Sequence, residues 1–144
     1  MLGSTYKGQA CSAARALELV GERWSLLILR DAMFRDYTRF LQFQKSLGIA
    51  PNVLTTRLEG FVAAGLMKRR VPKGSSEPPE YVLTRKGMEL KPVIIALTQW
   101  GDKWVRPGPV EYIDGRNSRP VAIQLRRTTD GAPVPVDDVV VRKR

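Results

Sequence analysis

The sequence of this 144-residue chain predicts a mainly α fold with a small β-hairpin, which places it in the α+β class. Three observations support this prediction. Before Pro107, apolar residues recur every three or four positions, the spacing of amphipathic helices. A Pro- and Gly-containing stretch, 72–79, separates two short strand-like runs and predicts a hairpin. After Pro107, short β-like runs replace the helical spacing, so a second segment is expected.

The helical part begins with a segment from Ser12 to about Met33. Its apolar residues recur at helical spacing, but Gly21 predicts a bend or a break between two short helices. Trp24 is expected to be a core anchor, because an aromatic side chain buries a large apolar area. The segment should therefore be helical on both sides of Gly21.

A short helix and a glycine-containing turn are predicted next. Thr38 can cap a helix over Arg39–Ser46, since its hydroxyl can satisfy a free backbone amide. Gly48 supplies the permissive backbone of the turn, and Ile49 can fill the gap between the two flanking helices. The residues expected to face inward from the first of these helices are Phe40, Leu41 and Phe43.

The helix after the turn is predicted to be amphipathic. Pro51 fits its first position, where a missing N–H is harmless, and Gly65 ends it as a C-cap after about Ala64. Because only one face is apolar, the helix should pack on one side. The apolar face consists of Val53, Leu54, Leu58, Phe61 and Val62. The polar face consists of Asn52, Thr55, Thr56, Arg57 and Glu59.

A hairpin and a long helix complete the helical part. Leu66–Val71 and Glu80–Thr84 read as antiparallel strands. Thr84 can also cap a helix from Lys86 to about Val105, which carries a broad apolar stripe. Pro92 falls in the first two turns of this helix and predicts a kink.

The remainder of the chain is expected to be a β-rich extension. The run Pro107–Pro109 marks a boundary, so we predict one domain over 1–108 and an extension over 109–144. Asp130 and Gly131 signal a turn within the extension. Its strand-like runs are Val110–Ile113, Val121–Leu125 and Val139–Val141.

Charge and composition limit the function. The chain carries 24 Lys and Arg against 14 Asp and Glu, a net charge of +10. This excess favours a polyanionic partner, because binding phosphates releases condensed counterions. With no histidine and one cysteine, the sequence lacks a His-based triad, a disulfide within the chain and a metal-ligand pair. We expect no enzymatic activity, no cofactor and no metal.

Targeting signals are missing from the sequence. No apolar run with a basic lead begins it, and no apolar stretch approaches the roughly 20 residues that span a bilayer. A lone cysteine fits a reducing compartment. We therefore expect a cytoplasmic protein that does not enter a membrane.

The predicted order of elements is helix, helix, turn, helix, strand, loop, strand, helix. This is the order of a winged helix-turn-helix. In such a fold the second helix of the helix-turn-helix reads bases in the DNA major groove, and basic residues nearby bind phosphates. Taken alone, the polar face would favour a solvated helix surface, and the DNA-binding interpretation depends on the glycine turn, the basic strand and the loop that accompany it. Base contacts are assigned to Asn52, Thr55, Thr56 and Arg57. Phosphate contacts are assigned to Arg39, Lys68, Arg69, Arg70 and Lys73.

Several short stretches between Cys11 and Gly101 together match one known family. They are Ala16–Trp24, Arg39-Phe40, Gly48-Ile49, Asn52–Leu58, Gly65-Leu66, Glu80–Thr84, Lys86-Gly87 and Gln99–Gly101. In these stretches the chain resembles the HxlR-type bacterial winged-helix regulators. The resemblance implies a homodimer that binds a near-palindromic operator in double-stranded DNA and that uses its N- and C-terminal helices as the dimer interface. On the last helix, that interface is assigned to Leu90, Ile94, Leu97 and Trp104.

The same resemblance gives Cys11 two interpretations. Some members of the family sense electrophiles or oxidants through a cysteine near the N-terminus, which makes an oxidant or small molecule a candidate effector. The other interpretation is a small residue buried at the dimer contact. The sequence departs from the family at Ser12, where Pro is common, and at Ala50, where a Ser often caps the helix. No second cysteine is available, so only an adduct or a disulfide between subunits can form.

These observations leave three functions to compare. The first is a transcriptional regulator that binds DNA sequence-specifically. The second is a sensor whose DNA affinity is set at Cys11. The third is an interaction protein that binds a protein partner through 109–144.

Overall fold

The computed structural model describes residues 5–144, which divide into a compact unit that ends at Ile94 and a second unit from Ile95 to Arg144. The division falls before the boundary expected after residue 108. The elements are α1 (Ser12–Val20), α2 (Ser25–Phe34), α3 (Phe40–Leu47), α4 (Pro51–Ala63), β1 (Met67–Arg70), β2 (Glu80–Leu83), α5 (Arg85–Met88), α6 (Lys91–Trp104) and a 3-10 turn (Val136–Asp138).

The break expected at Gly21 is present between α1 and α2. The Gly21 N–H donates to the Leu17 carbonyl at 2.7 Å, and a Cβ built on Gly21 would stand 2.4 Å from that oxygen. A side chain therefore cannot fit at this position without a shift of the backbone. Trp24 follows at the N-cap of α2, half-buried against the core, with the Arg23 guanidinium 5.2 Å from its ring centre.

The predicted cap of α3 is wrong by one residue, because the N-cap is Arg39 and not Thr38. The side-chain carbonyl of Gln42 accepts from the N–H groups of both Thr38 and Arg39 at 2.9 Å, so the capping group comes from inside the helix. The carbonyl of Thr38 is bound to β2, since it accepts from the Tyr81 N–H at 2.7 Å. Gly48 adopts the left-handed conformation expected of the turn, with φ +64°.

The core of the first unit lies around α2, α3 and α4. Phe43 is fully buried, but Leu41, also expected to face inward, is 69% exposed. The two residues are about 200° apart around the helix axis, so they cannot share a face. The buried apolar residues are Val20, Ile28, Leu29, Ala32, Met33, Phe43, Ile49, Leu54, Leu58, Phe61, Leu66, Met67 and Ile94.

The hairpin forms as expected, with a register that pairs Met67 with Leu83 and Arg70 with Glu80. The other edge of β2 is also occupied, because an isolated antiparallel bridge joins Arg39 to Glu80. The segment before α3 therefore lies beside β2 on the side opposite β1. This arrangement connects the hairpin, which we call the wing, to the start of the helix-turn-helix.

The single helix predicted over Lys86–Val105 is instead two helices, α5 and α6. Thr84 caps α5 as expected, and its hydroxyl accepts from the Gly87 N–H at 3.2 Å. Pro92 occupies the second position of α6. Proline is tolerated in a first turn but disrupts a helix interior, which explains why the chain restarts the helix one residue before it.

The strands predicted in 109–144 are wrong, because this segment contains isolated bridges in place of regular strands. The runs Val110–Ile113, Val121–Leu125 and Val139–Val141 form no regular strand, and the described residues there make only the bridges Ile113–Pro120 and Arg126–Pro133. Each bridge has a proline partner, which lacks the N–H that would extend a ladder. The turn expected near Gly131 is present, with φ +72°.

Candidate nucleic-acid interface

Helix α4 has one buried and one exposed face. Leu54, Leu58 and Phe61 lie in the core, each no more than 2% exposed. The polar residues predicted to read bases lie on the solvent side. Asn52, Thr55 and Thr56 are exposed, whereas the Arg57 side chain is 25% exposed. Its Nη1 lies 3.8 Å from Oε1 of Glu22.

The hydroxyl groups of the two threonines on this face donate hydrogen bonds to backbone carbonyls of α4 itself. Thr55 donates to the Pro51 carbonyl and Thr56 donates to the Asn52 carbonyl, both at 2.9 Å. Each oxygen keeps lone pairs that can accept from an exocyclic amine of a base, and each methyl can contact the thymine methyl. The face therefore offers acceptors and methyl groups from its threonines.

The start of α4 has no side-chain cap. Ala50 is the N-cap and Pro51 the first helical residue, so the capping bond that a serine would make is missing here. Backbone amides at a helix N-terminus bind phosphate readily, since they lack partners within the helix and the helix dipole favours an anion. The start of α4 can therefore hold a phosphate beside the polar face.

The wing supplies the basic residues next to α4, since β1 packs against that helix. Lys68 and Arg69 on β1 are exposed, and so is Lys73 in the wing loop, the connection 71–79 between β1 and β2. Arg70 is different, because its Nε donates to Oε2 of Glu80 at 2.9 Å. This hydrogen bond, together with the charge of Arg39, holds the pKa of the Glu80 carboxyl below its usual value. Glu80 is therefore ionised at neutral pH.

Arg39, predicted to bind phosphate, makes more hydrogen bonds and ion pairs within the protein than the other basic side chains assigned to phosphate. Its guanidinium donates to the Pro78 carbonyl at 2.6 Å and to Oε2 of Glu77 at 2.7 Å, and lies 3.2 Å from Oε1 of Glu80. Glu80 thus stands between Arg39 and Arg70, an arrangement we call the Glu80 triad. The triad holds the wing to the N-terminus of α3.

Sequence reasoning missed Asp31, which is fully buried between α2 and α3. Its Oδ2 accepts from the Ser46 hydroxyl at 2.6 Å, and its Oδ1 accepts from Arg30 Nε at 2.9 Å. The signal that could have revealed it is an acidic residue in a largely apolar helix. A buried carboxylate with these partners fixes the position of α3 relative to α2.

The residues assigned to the dimer interface separate into two groups. Ile94 is 3% exposed and belongs to the core, and Leu90 is half-buried against that core. Leu97 and Trp104 are 53% and 65% exposed. Trp100, which was not assigned, is also exposed and stands three residues after Leu97 and four before Trp104, so the three share one face of α6.

The candidate sensor, Cys11, is exposed at the N-cap of α1, where its sulfur accepts from the Ala14 N–H at 3.4 Å. Within residues 5–144, no three acidic or thiol side chains are grouped closely enough to hold a metal ion. No helix in the same range has the length and apolar character needed to cross a bilayer.

Comparison with known proteins identifies the class to which this fold and interface belong. The family of HxlR-like helix-turn-helix proteins matches residues 19–109, more than half of the chain, so the protein belongs to that family. It is thus a DNA-binding transcriptional regulator of the HxlR type. It is 46% identical over 110 residues to Rv3095, an HTH-type transcriptional regulator of Mycobacterium tuberculosis, covering 75% of this chain and 68% of that protein.

Solved structures support the same fold. The crystal structure of the transcription-factor candidate PA1607 matches with a TM-score of 0.83 and 39% identity, over 96% of this chain and 98% of that one. The reduced redox regulator HypR matches with a TM-score of 0.59 and 26% identity, over 64% of this chain and 91% of its own. Because the match to PA1607 covers 96% of this chain, that likeness extends into the second unit.

Proposed function

We propose that this regulator binds a near-palindromic operator as a homodimer and reads its sequence with α4. The observation that carries the proposal is the exposed polar face of Asn52, Thr55 and Thr56, directly after a helix start without a side-chain cap. Such a face fits the major groove, where each base pair presents a distinct pattern of donors and acceptors. Arg57 completes the face, because a 3.8 Å ion pair with a half-exposed glutamate is weak enough to open.

The basic residues have two roles in this proposal. Lys68, Arg69 and Lys73 are exposed and supply phosphate contacts that do not depend on sequence. Arg39 and Arg70 serve a different purpose from the one first assigned to them. Their carboxylate partners hold Arg70 within the wing and Arg39 against it, so that together they position Lys68, Arg69 and Lys73.

The proposed dimer uses the exposed face of α6. Leu97, Trp100 and Trp104 are each more than half exposed, and large apolar side chains on one helix face favour association. We exclude Ile94 and Leu90 from the proposed interface, because Ile94 is buried in the core and Leu90 packs against it. Pairing two subunits would bring two α4 helices into one complex, as an operator with two half-sites requires.

Base reading and phosphate binding can be separated by two substitutions. Arg57→Ala should weaken binding to the operator by about 1–3 kcal/mol and relax sequence choice, whereas Lys73→Ala should weaken binding to any duplex and lower the salt slope by about 1. Titrations of an operator selected from random duplexes, and of a scrambled version, at several salt concentrations measure both effects. Equal losses on the two duplexes for Arg57→Ala would count against base reading.

Dimerisation can be tested with a matched pair of substitutions on α6. Leu97→Asp should yield a folded monomer in analytical ultracentrifugation, because a charge on the exposed face opposes association. Ile94→Asp should instead lose the thermal unfolding transition of the first unit, since it puts a charge in the core. A Leu97→Asp protein that still sediments as a dimer would contradict the proposed interface.

A second candidate function is control of DNA affinity at Cys11. It is favoured by the exposed thiol and by the structural likeness to HypR, a redox regulator. We expect mild oxidant to add mass at Cys11, measured by mass spectrometry, and to change the affinity for the operator. In Cys11→Ser, the oxidant should change neither the mass at residue 11 nor the affinity. An unmodified thiol with unchanged affinity after treatment would remove this function.

A further inference from the structure

A groove of about 620 Å³ lies between the start of α3 and the wing loop. This volume is within the range of small-molecule sites, which bury a largely apolar ligand and orient it with a few polar groups. Leu41, the leucine of α3 that points away from the core, lies in the wall and is 69% exposed. The apolar walls consist of Phe40, Leu41, Pro78, Pro79 and Tyr81.

The polar side of the groove already holds a carboxylate. Arg39 is the sole cation among the lining residues, and Oε2 of Glu77 sits on its Nη2 at 2.7 Å. The Glu77 side chain is 62% exposed, so water can replace it at little cost. Glu80, only 16% exposed, holds the same nitrogen at 3.2 Å and keeps the guanidinium in position when Glu77 leaves.

We propose that this groove binds a small lipophilic carboxylate, whose acid group replaces Glu77 on Arg39. The apolar part of the ligand would lie against Leu41, Pro79 and the Tyr81 ring. The acid group would take the place that Glu77 now occupies. Exchange of one carboxylate for another leaves the charge around Arg39 unchanged, so the apolar walls provide the net gain in binding.

Such a ligand would act on the wing loop, which carries Lys73 and turns at Gly74 with φ +71°. The Glu77 N–H donates to the Ser75 hydroxyl at 3.0 Å, which ties the backbone of Glu77 to the loop that follows Lys73. Release of the Glu77 side chain from Arg39 would remove one of the contacts that hold this loop against the start of α3. The effect on operator binding rests on the proposed function. Occupancy of the groove does not, and it can be measured without DNA.

The test uses 2-naphthoate as the probe and 2-naphthalenemethanol as its uncharged match, each titrated into the full chain by calorimetry. We expect the acid to bind about tenfold or more tightly than the alcohol, because the acid restores the charged hydrogen bond that Arg39 loses when Glu77 is displaced, whereas the hydroxyl leaves that bond weaker. No detectable binding of 2-naphthoate, or equal binding of acid and alcohol, would overturn the proposal.

Two substitutions test whether 2-naphthoate binds in the groove. Leu41→Asp should weaken 2-naphthoate binding about tenfold, since it removes an apolar wall and adds a like charge, and aspartate suits a first helical turn. Glu77→Gln should strengthen binding by about threefold, because the internal competitor loses its charge. Val110→Asp, at a valine 58% exposed outside the groove, serves as the control and should change nothing. Unchanged binding in Leu41→Asp, or weaker binding in Glu77→Gln, would contradict the site.

Discussion

Leu54, Leu58 and Phe61 lie along one side of α4 and are almost completely removed from solvent. Burying each of these side chains contributes about 1.5–3 kcal/mol relative to leaving it exposed. A rotation of α4 about its axis would return all three to water, so the core fixes which residues face outward. The exposure of Asn52, Thr55 and Thr56 is therefore a consequence of the packing on the opposite side.

The wing depends on a second constraint, which is electrostatic. Its two strands are short, and a two-stranded hairpin is marginal by itself. Here the edge of β2 opposite β1 is bridged by the segment at Arg39, and the Glu80 triad connects all three segments. Two of the five basic residues first assigned to phosphate contacts thus act within the protein. Three basic side chains remain available for phosphate, since Lys68, Arg69 and Lys73 are exposed.

Local patterns in the sequence predicted the elements that depend on neighbours in the chain. The break at Gly21, the turn at Gly48 and the start of α4 at Pro51 follow from the backbone preferences of single residues, and the cap at Thr84 follows from its hydroxyl. All four are present. The polar face of α4 follows from its period in the same way.

Features that depend on distant partners could not be predicted in this way. Neither the groups that bind Arg39 nor the pairing of Asp31 with Ser46 can be predicted without knowing which segments meet. The prediction of strands after Pro107 failed for a related reason, because valine-rich runs form strands only where a partner with free N–H groups lies beside them. The assignment of Ile94 to an interface also required the tertiary fold to correct it.

The central claim is that the exposed face of α4 reads the operator while the wing binds phosphate without regard to sequence. The most direct test is selection of binding sites from random duplexes, carried out in parallel with the natural protein, with Thr56→Ala and with Lys68→Ala. We expect Thr56→Ala to alter base preference at one symmetric pair of positions, and Lys68→Ala to select the same motif with lower affinity. Identical motifs for the natural protein and Thr56→Ala, together with a changed motif for Lys68→Ala, would contradict it.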